Sequence, residues 1–181
     1  MLHTPALRLQ TPRVSDWRIM LAAGSDLQAQ RWFGWPGQVV IPEPDLERLL
    51  ARPAGRGRPL SHIPGPRTYL AAIDLADRRV AGAIELNPDT REVGGWLAPR
   101  FRGRGLGAGL FAGAAEFAHQ HLGIAAVTAG TESGNAACIA ALVSAGFTPT
   151  DGPDTHTLPD GRVIPSRWFH HESVQPTMCE T

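Results

Sequence analysis

The chain has 181 residues, of which 43% are hydrophobic, and its 17 basic and 17 acidic side chains give a formal net charge of zero. This length predicts one substantial domain and is short for two. The charge balance argues against a general electrostatic attraction to nucleic acid or to a membrane surface. All 17 basic residues are arginines, so no lysine side chain is present to form a Schiff base or to be acetylated.

The two cysteines, Cys138 and Cys179, offer neither a disulfide framework nor the spacing of zinc ligands. The N-terminus shows no basic segment followed by an apolar run, and no apolar span is long enough for a membrane helix. The sequence therefore predicts a cytoplasmic protein without a metal, a membrane anchor or a nucleic-acid partner.

The N-terminal third is predicted to contain one strand and three short helices. Alternating residues 6–10 predict the strand, and a capping pattern predicts a helix over 16–23. A second helix follows over 27–32, and a third, with proline at its start, over 45–51. Residues 52–66 are crowded with glycine, proline and arginine, which predicts a mobile loop.

The middle of the chain is predicted to be an antiparallel meander of three strands. Residues 68–75, 80–86 and 92–97 are apolar or alternating, as expected for strands with at least one buried face. Short polar segments at 76–78 and 87–89 separate these strands and predict tight turns.

The last third alternates between predicted helices and strands. A helix is predicted over 105–121, a strand over 124–129 and another helix over 135–145, ended by a glycine in a capping position. Segments 147–150 and 163–170 predict a closing strand pair, linked by a loop.

This order of elements predicts an α+β, or mixed α/β, fold. The sequence shows no internal repeat and no linker that would mark a second domain. Residues 1–173 are therefore predicted to form a single domain, and residues 174–181 a flexible C-terminal tail.

A glycine- and arginine-rich turn lies between the third meander strand and the helix that follows. Its sequence is Arg102-Gly103-Arg104-Gly105-Leu106-Gly107-Ala108-Gly109-Leu110. Glycines allow a close approach of the backbone, and the free N–H groups and dipole of a helix N-terminus favour a phosphate. The arginines add charge and forked donors. The turn is therefore predicted to bind an anion, which we interpret as a pyrophosphate.

The spacing Arg102-x-x-Gly105-x-Gly107 resembles the pyrophosphate-binding motif of the GNAT superfamily, the acetyl-CoA-dependent N-acetyltransferases. The wider string over 95–107 resembles the branch that acetylates the N-termini of ribosomal proteins, which also contains small-amine enzymes. The resemblance is close over 92–147. It implies the GNAT fold, with a central, mostly antiparallel twisted sheet of about six to seven strands and helices on both faces.

A dinucleotide-binding fold is the competing interpretation of this turn, because Gly103-x-Gly105-x-x-Ala108 satisfies a relaxed form of that fold's fingerprint. That fold expects parallel strands that alternate with helices and an acidic residue at the end of the next strand. A predicted meander precedes the turn here, which argues against this alternative.

The resemblance implies that acetyl-CoA is the donor substrate and that its pantetheine arm lies in a cleft where two neighbouring strands diverge. Backbone groups of 97–99 would line the arm, and the amides of 102–107 would hold the pyrophosphate. Asn135 matches an asparagine that contacts the arm in the family, and an N-cap is its alternative role. The predicted acetyl-CoA-binding residues are Leu97, Ala98, Pro99, Arg102, Gly103, Arg104, Gly105, Leu106, Gly107, Ala108 and Asn135.

Glu92 is the first candidate for the general base that deprotonates the attacking amine. Strand alternation places Glu92, Gly94 and Trp96 on one face, where the glycine leaves room for a substrate. A solvated glutamate at a strand end is the alternative interpretation. Glu85, inside an apolar strand, is the second catalytic candidate, because burial would raise its pKa.

Cys138 is a candidate general acid for the departing CoA thiolate. Many relatives carry serine at this position or use a tyrosine further along, whereas the one tyrosine of this chain, Tyr69, lies elsewhere. A thiol has a reference pKa of about 8.5 and can donate a proton. A small buried cysteine, with water as the acid, is the alternative.

The predicted reaction is direct transfer of an acetyl group to a primary amine in a ternary complex, with backbone donors near Leu97 polarising the thioester. The acceptor is a protein N-terminus or a small molecule. Trp32, Trp35 and Trp96 are candidate acceptor-binding residues, with a core role as the alternative. Another acyl-CoA donor such as succinyl-CoA, or a non-catalytic CoA-binding regulatory module, are the other hypotheses. A homodimer is a common state for such domains.

Overall fold

The computed structural model describes residues 2–3, 6–23, 25–35, 43–55, 58–60 and 65–173. The predicted tail and part of the predicted 52–66 loop lie outside the described residues. The strands are β1 Leu2–His3, β2 Leu7–Gln10, β3 Thr68–Asp74, β4 Val80–Asn87, β5 Glu92–Leu97, β6 Ala126–Glu132, β7 Thr148–Thr150, β8 Thr155–Thr157 and β9 Val163–Glu172. The helices are α1 Val14–Ala23, α2 Leu27–Phe33, α3 Glu43–Leu50, α4 Leu106–Leu122 and α5 Ala136–Ser144.

Eight strands form one open sheet in the order β1-β2-β3-β4-β5-β6-β9-β7, and β8 pairs with β9 off this path. Every neighbouring pair is antiparallel except β5 and β6, which are parallel. The mixed α/β class and the mostly antiparallel sheet are confirmed. The strand number exceeds the prediction because β1 and β8, of 2 and 3 residues, are too short to show a period.

The meander is present as predicted, with β5 spanning Glu92–Leu97. The register of β4 against β5 places Glu85 opposite Gly94 and Asn87 opposite Glu92. Directly opposed residues of an antiparallel pair share one face of the sheet. The two glutamates of the sequence analysis therefore stand on the same face of adjacent strands.

Helices cover both faces of the sheet, as the resemblance implied. Gly95 lies under α4, because a Cβ atom added there would lie 3.2 Å from Leu110 Cδ2. The opposite face meets α1, where Trp17 packs edge-on against Tyr69 with ring centroids 5.3 Å apart. The residues that α4 buries are Leu106, Leu110, Phe111, Gly113, Ala114, Ala115 and Ala118.

The main departure from the predicted elements lies before β9. The predicted loop between the last two strands contains β8, which folds back so that Thr155 pairs with Pro165. The predicted end of α5 holds, because Gly146, just past the helix, has a φ of +89° that suits glycine. The β8–β9 hairpin becomes one wall of the site described next.

Candidate active site

The site is a cleft between β5 and β6. These parallel neighbours pair Glu92 with Thr128. Beyond this pair the strands separate, and a cleft of about 680 Å³ is lined by residues 93–97 on one side and 129–132 on the other. Strand edges without a partner strand expose backbone N–H and C=O groups. The predicted divergence of two neighbouring strands is therefore present.

The glycine-rich turn, residues 102–105, borders this cleft and leads into α4. Gly103 and Gly105 have φ angles of +71° and +74°, and a Cβ atom on either would meet nothing within 4 Å. Gly105 is the N-cap of α4, and no side chain caps this helix. The N–H groups of its first turn therefore lack intrahelical partners and suit an anion. Ala108, in that turn, also lines the cleft.

Gly107 has a packing role in addition to its place in the motif. A Cβ atom at Gly107 would lie 2.8 Å from the Cβ atom of Ala141 in α5. That separation is far below van der Waals contact, so any side chain at this position would push the two helices apart. Both residues line the cleft, and its wall therefore depends on the close approach of α4 and α5.

Arg102 is held by partners within the protein. Its Nη1 and Nη2 donate to the two carboxylate oxygens of Asp26 at 2.8 and 2.7 Å, and its Nε donates to Leu97 O at 2.9 Å. Burial alone would raise the pKa of Asp26, but the hydrogen bonds and charge of Arg102 hold it below its usual value. Arg102 therefore ties the glycine-rich turn to the start of α2, a role that the motif spacing did not indicate.

Three of the predicted acetyl-CoA-binding residues do not line the cleft in the described part of the chain. Ala98 is fully buried, and its N–H donates to β4. Pro99 begins a short 3-10 turn. Arg104 reaches the carboxylates of Asp74 and Asp77 at 3.8 and 3.9 Å. A role for these three in donor binding remains an untested prediction.

Asn135 and Cys138 meet at the start of α5, and both line the cleft. Asn135 is the N-cap of the helix, and its side chain accepts a hydrogen bond from the Cys138 N–H at 3.1 Å. Burial raises the pKa of the Cys138 thiol, and a hydrogen bond with Thr131 partly opposes that rise. The thiol is therefore protonated at neutral pH, as a proton donor must be.

Glu85 and Glu92 also line the cleft. Glu85 forms an ion pair with Arg67. Burial raises the pKa of Glu85, Arg67 works against this rise, and the charge of Glu92 adds to it. Glu92 forms no ion pair among the residues that the structure describes. Of the two carboxylates, that of Glu85 is engaged by an arginine and that of Glu92 is not.

The face of the cleft that carries Glu85, Glu92 and Trp96 is called the acceptor face below. The other two predicted acceptor-binding residues, Trp32 in α2 and Trp35 just after it, line the same cleft. The structure thus brings these two tryptophans into one cleft with Trp96, about 60 positions further along the chain.

Trp168 of β9 is a lining residue that the predicted elements did not identify. Gly130 of β6 pairs with Trp168, two residues beyond the Glu92–Thr128 pair, so Trp168 stands on the acceptor face. The cleft is also lined by His156 of β8. Exposed and half-buried residues alternate along most of β9, and this alternation is the signal that could have assigned Trp168 to one face of the strand. No local pattern indicated which cavity that face borders.

A sheet that splits between two parallel neighbours, with an uncapped helix N-terminus beside the split, is the arrangement that the resemblance implied for an acetyl-CoA-dependent transferase. The sequence profile of the acetyltransferase (GNAT) domain matches residues 6–148, more than half of the chain. The chain belongs to the GNAT acetyltransferase family. The predicted enzyme class, an acetyltransferase, is confirmed. No curated protein sequence matches the chain.

Solved structures share the fold at low sequence identity. Spermidine N-acetyltransferase from Vibrio cholerae, in complex with CoA and spermine, is 16% identical with a TM-score of 0.67, covering 93% of this chain and 96% of that one. A GNAT-family acetyltransferase from Bacillus anthracis is 11% identical with a TM-score of 0.66, covering 94% and 97%. A Vibrio cholerae protein described as a ribosomal-protein-serine acetyltransferase is 12% identical with a TM-score of 0.64, covering 94% and 96%.

None of the described helices is long and apolar enough to cross a lipid bilayer. The described residues include no group of three or more His, Cys, Asp or Glu side chains arranged to hold a metal ion.

Proposed function

We propose that the protein transfers an acetyl group from acetyl-CoA to a primary amine, directly and in a ternary complex. The observation that carries the proposal is the cleft between β5 and β6. An uncapped helix N-terminus borders it, which suits the pyrophosphate of acetyl-CoA. Glu85 and Glu92 line its acceptor face, where an amine would lose a proton. The Vibrio cholerae enzyme with bound CoA and spermine supports both halves of the proposal.

In the proposed reaction Glu92, directly or through a water molecule, takes a proton from the ammonium form of the acceptor. The neutral amine attacks the thioester carbon, and backbone N–H groups on the open edge of β5 near Leu97 stabilise the negative oxygen that forms. The C–S bond then breaks, and the nitrogen releases its extra proton to water. The CoA thiolate takes a proton from Cys138 or from water.

Glu92 is proposed as the base rather than Glu85 because of their different partners. The ion pair with Arg67 occupies the Glu85 carboxylate. Glu92 sits at the start of β5, at the pair from which the two strands diverge. Of these two carboxylates, Glu92 is therefore the one that an acceptor in the cleft can approach without displacing an arginine.

Calorimetric titration of acetyl-CoA tests the donor site. Ala108 lies in the first turn of α4 and lines the cleft, so Ala108→Glu places a carboxylate where the pyrophosphate would bind. The same charge stabilises a helix N-terminus, so the variant is expected to fold. We expect Ala108→Glu to bind acetyl-CoA at least about tenfold more weakly than the matched neutral variant Ala108→Gln, by like-charge repulsion.

The competing hypotheses give different results in the same experiment. Equal affinity of the two Ala108 variants would remove the glycine-rich turn from the donor site. Binding without CoA release for any amine would identify a regulatory module instead of an enzyme. Tighter binding of succinyl-CoA than of acetyl-CoA would identify succinyl-CoA as the donor substrate. No heat with any acyl-CoA would overturn the proposal itself.

The narrower assignments are also proposals. The string over 95–107 favours the branch that acetylates N-termini of ribosomal proteins, and the Vibrio cholerae protein described as a ribosomal-protein-serine acetyltransferase shares the fold. Because that branch also contains small-amine enzymes, it does not decide the acceptor. A cytoplasmic location and a homodimer remain predictions.

A further inference from the structure

Five half-buried aromatic rings from three separate parts of the chain line the cleft, beside the buried ring of Phe111 in α4. They come from α2 and the residues just after it, from β5 and from β9, and they include four of the five tryptophans in the sequence. Each ring is only half-buried, and Trp96 alone among them also packs against the hydrophobic core of the described residues. The five rings are those of Trp32, Phe33, Trp35, Trp96 and Trp168.

Two of these rings form a parallel stack at the end of α2. Phe33 and Trp35 stack with centroids 4.5 Å apart and planes inclined by 9°. Gly34 between them has a φ of +59°, a left-handed conformation that suits glycine and ends the helix. The reversal of the chain at Gly34 is what allows both rings to lie face to face.

Trp168 is held as a rigid wall. Its indole N–H donates to Pro153 O at 3.0 Å. One part of the ring lies against Gly130 and another against Gly152, where added Cβ atoms would come within 2.9 and 2.4 Å of ring atoms. Only residues without a side chain permit this contact, so the orientation of the indole is set before any ligand arrives.

The acceptor face is closed along one side by a contact between two elements. Arg162, just before β9, donates to Gln30 O of α2 at 3.1 Å. A Cβ atom at Gly34 would lie 2.7 Å from Asp160 Cγ in the same β8–β9 turn. The space between α2 and the β8–β9 hairpin is therefore a bounded pocket, which suits a small molecule better than a polypeptide.

The charges in the cleft favour a cation. Glu85 is paired with Arg67, and Arg102 is paired with Asp26. Glu92 and Glu132 line the cleft and form no ion pair among the described residues. Two carboxylates without an arginine partner leave the lining with a net negative charge, which attracts an ammonium group and lowers the cost of desolvating it.

We propose that the acceptor is a small primary amine that carries a planar aromatic group, that is, an arylalkylamine. The inference rests on the proposed function, because it names the acceptor of that reaction. The aromatic group packs against the Phe33–Trp35 stack and the ring of Trp168, and the ammonium group lies toward Glu92. A linear polyamine would use the carboxylates but would leave the rings without a matching partner.

The test measures CoA release from acetyl-CoA with four different acceptors. These are tryptamine, n-hexylamine, spermidine and a peptide with a free N-terminus. Tryptamine and n-hexylamine carry the same charge and a primary amine on a flexible chain, so they differ mainly in the planar ring. Stacking predicts a kcat/KM for tryptamine about tenfold higher than for n-hexylamine. Calorimetric titration of tryptamine into the protein with CoA present gives a second readout that needs no turnover.

Variants of Trp168 assign the preference to the pocket. Trp168→Leu is expected to raise the KM for tryptamine about tenfold and to leave n-hexylamine and the Kd of acetyl-CoA nearly unchanged. Trp168→Phe keeps a ring and is expected to keep most of the preference. Trp17→Phe, at a tryptophan that packs against Tyr69 outside the cleft, is the control and is expected to change nothing.

Different outcomes overturn different claims. Turnover of n-hexylamine, spermidine or the peptide as efficient as that of tryptamine would overturn the acceptor class and leave the acetyltransferase reaction standing. A tryptamine preference that survives in folded Trp168→Leu would also overturn the role of the pocket. Absence of acetyl-CoA binding and of CoA release with every amine would remove the proposed function, and the acceptor with it.

Discussion

Three ionisable side chains in the cleft have distinct surroundings, and these surroundings separate their roles. Glu85 is partly buried and bonded to Arg67. Glu92 has no arginine partner in the described part of the protein. Cys138 is a thiol whose pKa burial raises. A base needs an accessible carboxylate and an acid needs a bound proton, so the surroundings favour Glu92 and Cys138 for these two tasks.

Replacing the two glutamates one at a time should identify the base. Glu92→Gln removes the proton acceptor and is expected to lower kcat by roughly 10²–10⁴-fold, the usual contribution of a general base. Glu85→Gln is the matched control and should reduce kcat much less. Steady-state kinetics with acetyl-CoA and an amine provide the measurement. A large loss of kcat in Glu85→Gln, together with an active Glu92→Gln, would identify Glu85 as the base instead of Glu92.

Cys138→Ala should lower kcat by about tenfold or more if the thiol protonates the leaving group, and Cys138→Ser should recover part of the loss. The acid form is needed, and burial raises the pKa of the Cys138 thiol above its ordinary value. The rate should therefore not fall through loss of this proton until the pH exceeds about 9. A Cys138→Ala enzyme with unchanged kcat across this range would assign the proton to water.

At the scale of elements, helix α2 is anchored to the glycine-rich turn by one residue with two tasks. Asp26 is the N-cap of α2, and its Oδ1 accepts hydrogen bonds from the N–H groups of Gln28 and Ala29 at 3.0 and 3.1 Å. The same carboxylate binds both Nη atoms of Arg102. The helix that carries the acceptor-face aromatics is thus linked to the turn that borders the donor site.

Asp26→Asn separates these two tasks, because asparagine is also a good N-cap but has no charge for Arg102. The variant is expected to lose about 1.5–3 kcal/mol of unfolding free energy, the range for hydrogen bonds to charged groups. Urea unfolding measures this difference. Asp45→Asn, at a surface pair with Arg48, is the control and should cost little.

The pH dependence of this difference has a definite sign. The Asp26 pKa is lower in the folded protein than its ordinary value of 3.8. The charged form therefore stabilises the fold above that value, and the contribution is lost as the pH falls through the lower folded pKa. The gap between wild type and Asp26→Asn should be constant from pH 7 to about 5 and shrink below 3.8. A gap that closes near neutral pH would contradict the ion-pair explanation.

At the scale of the whole molecule, the cleft separates the strands β1–β5 from β6–β9. In the described residues the two halves of the sheet pair at Glu92 and Thr128, and α4 packs against β5 of one half and β6 of the other. A ligand that contacts β5, β6 and the start of α4 would therefore join the two halves. Such a ligand binds the folded state and not the unfolded chain.

Acetyl-CoA at about 100 times its Kd should stabilise the protein by about 2.7 kcal/mol. For a domain of this size that corresponds to a rise in Tm of roughly 5–10 °C. Acetyl-pantetheine, which lacks the pyrophosphate, should give a smaller shift at the same concentration. Thermal unfolding with both ligands is the measurement, and equal shifts would exclude a contribution from the glycine-rich turn.

Local sequence determined the elements that carry the proposed donor site. The bounds of β5, the glycine-rich turn, the start of α4 and the Asn135 cap of α5 follow from alternation, glycine spacing and capping preferences, which act between near neighbours in the chain. The resemblance to the GNAT motif depends on the same short stretch, which is why the family could be predicted before the fold was seen.

Only the tertiary structure decided how distant residues meet. The partner of Arg102 is Asp26, 76 positions away in the chain, and the wall opposite Trp96 includes Trp168 from a hairpin whose first strand has 3 residues. Such contacts depend on the order of the strands in the sheet and on how the helices pack, and local propensities do not determine either of these. The sequence by itself therefore determined the family and the donor motif. The pairing of β6 with β9 and the docking of α2 decided the shape and charge of the acceptor face.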